Sequence, residues 1–213
     1  MIAFYHKKIT CEALSSFFSE RALHNIVKAN LRQDSIIGQL FHNEYHFDNN
    51  KISEGITYIQ QQKIMVLDFL TSGSIKKSWH ALGRLVHSAQ DFYAHSNYIS
   101  LWIDSLDKKI PQIEDLSTLD PKIIKNPNFH SHIAYFPLDF IGLLPGMAKR
   151  VKVHLPLDSH ANMNLDSPES GENFHWAYHA ALKRTIQEFS NLKDTIVNKN
   201  IDLLQMFLGK KND

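Results

Sequence analysis

A single cysteine, Cys11, stands among the 213 residues. That excludes an internal disulfide and any zinc site built from several thiolates. Excess charge is also lacking: 23 Lys and Arg face 22 Asp and Glu, for a formal net charge of +1. A broad electrostatic grip on duplex nucleic acid, which neutralises several phosphates at once, has no support in that balance. No run approaches the ~20 consecutive apolar residues of a membrane helix; the best stretch, 133–144, is broken by Pro137 and Asp139. The opening MIAFYHKKITCEAL does not read as a secretory signal, so the expectation is a cytoplasmic chain or one exported without a classical signal. GxGxxG, P-loop and GxSxG strings are missing as well, which removes nucleotide-fold and serine-hydrolase readings.

What is present describes one folded domain over residues 1–213. The chain is 43% hydrophobic, the normal range for a globular domain, and this length buries roughly 70% of the unfolded surface. The unusual number is 13 histidines. With one cysteine, metal chemistry here has to use imidazole and carboxylate ligands.

Periodicity predicts an all-α, multi-helix bundle with one long irregular insertion. Leu14, Phe17, Phe18, Ala22, Leu23, Ile26 and Val27 predict one helix over about 8–31. A second covers about 53–70, with Ile56, Ile59, Ile64, Leu67 and Leu70 as its buried stripe. Ser74 is the expected N-cap of a third, through Trp79, Leu82, Leu85, Val86 and Phe92, and Tyr98–Leu106 continues it or kinks into a fourth. Residues 108–168 hold all 7 prolines and show no sustained period, so they are expected to be an irregular insertion or lid. Its apolar set is Phe129, Tyr135, Phe136, Phe140, Ile141, Leu143 and Leu144. Helicity resumes with Phe174, Ala177, Tyr178, Ala181, Leu182, Ile186 and Phe189, followed by a last helix over about 194–208.

Along the third helix His80, His87, Asp91 and His95 lie 7, 4 and 4 residues apart, which places them on one narrow face. Histidines at i and i+4 on a helix can converge on one ion, and His175 and His179 repeat the spacing later. Two such helices packed face to face would build a metal site inside a bundle. His6, Asp34 and His46 are placed to cap it. The apolar stripe should not carry His87, Asp91 and His95 unless they are satisfied there. His24, His42, His130, His132 and His154 read as ordinary solvated or hydrogen-bonded side chains, and His80 as a packing residue at the start of its helix.

The string LGRLVHSAQDFYAHSNY, Leu82 to Tyr98, resembles the metal-binding helix of the zinc-dependent phospholipase C superfamily, closest to its fungal heterokaryon-incompatibility (Het-C-like) variant. HKKITCEAL (His6 to Leu14) is similar to that family's opening, Asp34 followed by YHFDN (Tyr45 to Asn49) to its Asp-x11-His-Phe segment, and NLDSP (Asn164 to Pro168) with the helix bearing His175 to its final ligand block. The resemblance implies a bundle of that type holding two or three zinc ions. It places one ion on Asp34, His46, His87 and bridging Asp91, a second on His95, His175 and His179, and a third on His6. The chain departs from the family in having His179 where glutamate is usual, and His-x3-Asp-x3-His in place of His-x3-Asp-x5-His; His160 is an alternative ligand.

The function so implied is a zinc-dependent phosphodiester hydrolase of phospholipase C type, acting on phospholipid head groups, with Asp34 orienting or deprotonating the attacking water. Phospholipid is the expected partner, through peripheral membrane contact. The alternatives are a zinc nuclease on single-stranded nucleic acid and a non-enzymatic metal-binding membrane or interaction protein. Clustered zinc suits phosphodiester cleavage because it lowers the pKa of bound water and clamps phosphoryl oxygens.

Overall fold

In the computed structural model, which describes residues 1–107, 109–135, 137–142 and 147–210, the chain winds through α1 (Ala3–Leu14), α2 (Glu20–Leu31), α3 (Ile36–Phe41), α4 (Asn43–His46), α5 (Ile52–Thr71), α6 (Ile75–His95) and α7 (Tyr98–Ser105). It continues through α8 (Pro121–Ile124), α9 (Leu138–Gly142), α10 (Ala148–Lys152), α11 (His160–Met163), α12 (Phe174–Lys199) and α13 (Ile201–Phe207). No β-strand occurs among the described residues; two isolated bridges join Ser96 to Ser131 and Ile133 to Ser159. The all-α expectation therefore stands as fact.

The bundle is organised around α6, which packs against α2, α5 and α12 at once. From Ser78 to His95 every residue but His80 and Arg84 is buried, the signature of a helix enclosed on nearly all sides. Leu82, Leu85, Val86, Ala89, Phe92 and Tyr93 supply its apolar contacts, and each fully buried large side chain contributes about 1.5–3 kcal/mol. Gly83 lets α2 approach: a Cβ there would stand 2.3 Å from the Ile26 carbonyl oxygen and 2.9 Å from Asn30 N. That close crossing sets Asn30 of α2 beside His87 of α6.

Several expected boundaries shift. The single helix over 8–31 is two, because Ser19 caps a new start by accepting from Ala22 N at 3.3 Å; the bend turns Phe18 onto Phe189 and Phe207. The buried face of α5 is Gly55, Tyr58, Ile59, Gln62, Val66 and Leu70, while Ile64 is 59% exposed. Ser74 does precede α6, but its side chain makes no capping bond. The break expected near Asp194 falls at Asn200, which ends the 26-residue α12 and caps α13 by accepting from Asp202 N at 2.8 Å.

The insertion is no free lid. Asn97 N donates to the His130 carbonyl at 3.1 Å, His132 N to that of His95 at 2.9 Å, and Leu165 N to that of Ala94 at 2.8 Å. These bonds tie His130, His132 and Leu165 to the C-terminal end of α6. Phe129 packs on Phe92, and Tyr135 donates to Asp158 at 3.0 Å. Of the apolar set named above, Phe136, Leu143, Leu144 and the side chain of Phe140 lie outside the described residues.

Candidate metal centre

Buried helix α6 presents His87, Asp91 and His95 down one face toward the end of the bundle. His87 and Asp91 are fully buried and His95 is 6% exposed. Around Asp91 stand His6 of α1, Asp34 of the 3-10 turn after α2, and His46 of α4. His6 Nε2 lies 3.1 Å from Asp91 Oδ1, and His87 Nε2 and His46 Nδ1 lie 3.1 and 2.9 Å from Asp91 Oδ2. Asp34 Oδ1 stands 3.7 Å from His87 Nε2 and 4.0 Å from His46 Nδ1. The Met1 amine contacts Asp91 and lies 3.0 Å from Asp166.

The far nitrogen of three rings is committed to a carbonyl oxygen. His6 Nδ1 donates to Gln90 Oε1 at 2.6 Å, His87 Nδ1 to Asn30 Oδ1 at 3.1 Å, and His95 Nδ1 to the His46 carbonyl at 2.9 Å. Each bond fixes the Nδ1–H tautomer and leaves Nε2 as a lone-pair donor aimed inward. Gln90 and Asn30 are held in turn: both donate to Thr10 Oγ1, at 3.1 and 3.0 Å, and Gln90 also to Thr185 Oγ1 at 3.2 Å. Among the described residues, His6 Nε2 and Asp34 Oδ2 at the focus, and the His46 nitrogen that does not face Asp91, Nε2, are buried and make no hydrogen bond. Buried polar atoms without partners are costly, and these are metal-ligand atoms.

A second focus adjoins the first. His95, His132 and His160 converge from α6, the insertion and the start of α11, with ligand atoms within 4.8 Å of one another. Asp48 reaches His132 Nε2 at 2.9 Å and His95 Nδ1 at 3.2 Å, while Asp166 reaches His95 Nε2 at 3.0 Å and His160 Nε2 at 3.4 Å. The turn presenting Asp48 is strained, with positive φ at Phe47, Asn49 and Asn50. Phe47 holds that shape by burying its ring over Gly55, where a Cβ would come within 2.6 Å of it. Backbone strain of this kind persists where the surroundings over-determine it and gathers at functional sites.

Charge balance points the same way. Asp34, Asp48, Asp91 and Asp166 meet in this region, and among the described residues no lysine or arginine pairs with any of them. Burial opposes ionisation of Asp91 and Asp166, yet the amine and the surrounding histidines hold both carboxyls well below the usual range. His95, despite its burial, is driven well above the ordinary imidazole value by Asp91 and Asp166. Asp34 moves upward, through burial and the neighbouring Asp91 carboxylate. One buried and three partly buried carboxylates with inward imidazoles and no thiolate form a donor set suited to a divalent ion such as zinc.

Of the residues expected from sequence, the structure brings together His6, Asp34, His46, His87, Asp91, His95 and the alternative ligand His160. His175 and His179 are a correction. The buried side of α12 is Phe174, Ala177, Tyr178, Ala180, Ala181 and Arg184, so His175 and His179, roughly opposite at 100° per residue, face outward and line a separate outer cleft with Tyr5, Lys8 and Glu12. His80, read as a packing residue at the start of its helix, lies two turns back along α6, half-exposed in another cleft and away from both foci. Three residues were missed. Asp48 sits two positions after His46, Asp166 lies within NLDSP, and His132 looked ordinary because its partners come from distant segments.

A family model described as the VWA7 N-terminal domain matches residues 3–117, just over half of the chain. The chain belongs to that family. The likeness to zinc-dependent phospholipase C and heterokaryon-incompatibility proteins is thereby overturned as a family assignment; the quoted strings reflect the same residue types at similar spacing, which short motifs cannot distinguish from kinship. The matched stretch of this VWA7 N-terminal domain runs from α1 past α7 and includes His6, Asp34, His46, Asp48, His87, Asp91 and His95, whereas His132, His160 and Asp166 follow it. No curated protein and no solved structure matches the chain.

Proposed function

We propose that the protein is a metal-dependent phosphodiester hydrolase that acts on phospholipid head groups through two adjoining divalent-metal positions, most simply zinc. The observation carrying this reading is the set of three imidazoles whose Nδ1–H groups are tied to carbonyl oxygens while their Nε2 atoms face carboxylates. His6, Asp34, His46, His87 and Asp91 would hold metal at the first position, and His95, His132, His160, Asp48 and Asp166 at the second. A bound ion of this kind supplies a water of lowered pKa and a Lewis acid for the phosphoryl oxygens. Asp34, whose side chain is 20% exposed, would take a proton from the attacking water.

The surroundings support a lipid substrate. A cleft of about 380 Å³ opens over Asp34, His46, Asp48, His95, His160 and Asp166. The elements that line it also bear outward apolar side chains: Ile2 and Phe4 at α1's start, Ile36 on α3 and Leu138 on α9. Phe4 and Ile36 are 63 and 77% exposed. Exposed apolar groups around a polar site mark a surface made for an amphiphile. No helix among the described residues is long and apolar enough to cross a membrane.

Elemental analysis of the purified protein, joined to head-group release from phospholipid vesicles with and without chelator, tests the proposal. Bound divalent metal and chelator-sensitive hydrolysis, both lost in Asp91→Asn, are expected. A protein that takes up no divalent metal, or hydrolysis unchanged in Asp91→Asn, overturns it.

A further inference from the structure

On the other side of the 3-10 turn Arg32–Asp34 lies a second cleft, of about 610 Å³, between α2, α3 and the first half of α6. Lys28 and Arg32 line it from α2, four residues apart, and Lys76, His80 and Arg84 line it from α6 at the same interval. No aspartate or glutamate is among its lining residues. Like charges one helical turn apart destabilise a helix unless something neutralises them, and here two such rows face one space. Lys28, Arg32, Lys76 and Arg84 form no ion pair among the described residues; Arg84 donates only to the neutral Gln62 Oε1, at 2.7 Å. In a chain whose formal net charge is +1, this concentration is local. His80 is held below the ordinary imidazole value by partial burial and by the four neighbouring cations Lys76, Arg84, Arg32 and Lys28.

The size of the cleft is that of a small-ligand site, and converging Lys and Arg donors are the chemistry of phosphate recognition. We infer that this cleft binds a small, multiply phosphorylated anion, carried either free in solution or on a lipid head group. The four cations divide the work. Arg32 and Arg84 offer planar paired donors to phosphate oxygens, and Lys28 and Lys76 act as point charges at the rim. The site is separate from the metal centre and does not depend on it.

The test titrates the full chain in excess chelator, so that metal cannot recruit phosphate at the other cleft. Inorganic tripolyphosphate is followed by calorimetry. In parallel, co-sedimentation uses phosphatidylcholine vesicles with or without a lipid whose inositol ring carries two phosphomonoesters. Saturable one-to-one binding of tripolyphosphate, or sedimentation only with the phosphorylated lipid, is the expected result, the two arms distinguishing the free from the lipid-borne ligand. Lys28→Ala and Lys76→Ala should each weaken binding about tenfold, the scale of one lost charge-assisted contact. Both side chains are exposed, so the thermal midpoint should not fall in either variant. Absence of binding in both arms, affinity unchanged in both variants, equal affinity for citrate, or binding only to single-stranded DNA with affinity rising with length overturns the inference.

Discussion

Asn30 Oδ1 lies 3.1 Å from His87 Nδ1, across the close α2–α6 crossing at Gly83. The amide does not touch the carboxylate focus; it aims the ring that does. Asn30→Leu is therefore expected to weaken metal binding at the first position by about 10- to 100-fold, the usual cost of losing the carbonyl behind a ligand histidine. Asn30→Asp, which restores an acceptor, should recover most of it. Competition against a chromophoric chelator reads both, and equal affinity of Asn30→Leu and the parent would remove the positioning role.

His132 and His175 form a matched pair for comparison, one buried at the second focus and one exposed on α12. Substituting His132 by alanine should lower the metal content by one ion per chain. His175→Ala should leave the content of the two foci unchanged. Elemental analysis on protein dialysed against a weak chelator decides, and the reverse pattern would return α12 to the site.

Metal uptake should strengthen with rising pH. In the metal-free protein Asp91 and Asp166 raise the His95 pKa well above the ordinary imidazole value against the opposing effect of burial, and so favour the protonated ring. Its folded value lies above the ordinary ~6.5, so the stability it adds to the metal-free fold is complete below that unfolded value and lost as pH climbs through the folded one. Metal has to displace that proton. Calorimetry in two buffers of different ionisation heat should show protons released on binding, fewer at higher pH, with affinity increasing until pH passes the raised His95 value.

Gly83→Ala places a methyl 2.3 Å from the Ile26 carbonyl. Overpacking of this kind costs about 1–3 kcal/mol, and here it also drives α2 away from α6. A lower thermal midpoint together with loss of metal affinity is expected; a fall in stability with affinity intact would uncouple the crossing from the site.

Much of the first focus was legible in the sequence because it depends on helical spacing. His87, Asp91 and His95 share a face of one helix, and that face is set by 3.6 residues per turn wherever the helix goes. The second focus was legible only in His95 and, as an alternative ligand, His160. His132 and Asp166 lie 37 and 71 positions beyond His95 in a segment without period, and what brings them in is backbone bonding to the end of α6. His175 and His179 failed for the complementary reason: i and i+4 spacing says that two rings share a face, but the neighbouring alanines decide which face is buried. The family assignment drawn from short strings failed because ligand types and spacings recur wherever a helix offers a metal one side.

The turn after α4 joins the two halves of the centre. Asn49 Oδ1 accepts from Ala134 N at 2.9 Å and Asn50 Oδ1 from Ser131 N at 3.1 Å, so the loop that bears Asp48 is also the socket for the segment that brings His132. Polar seams of this kind open by sub-global fluctuation well below the free energy of complete unfolding. Exchange of an ion at the second focus would therefore keep the clock of that seam, while an ion gripped by α1, α4 and α6 at the first would wait for the bundle itself to part.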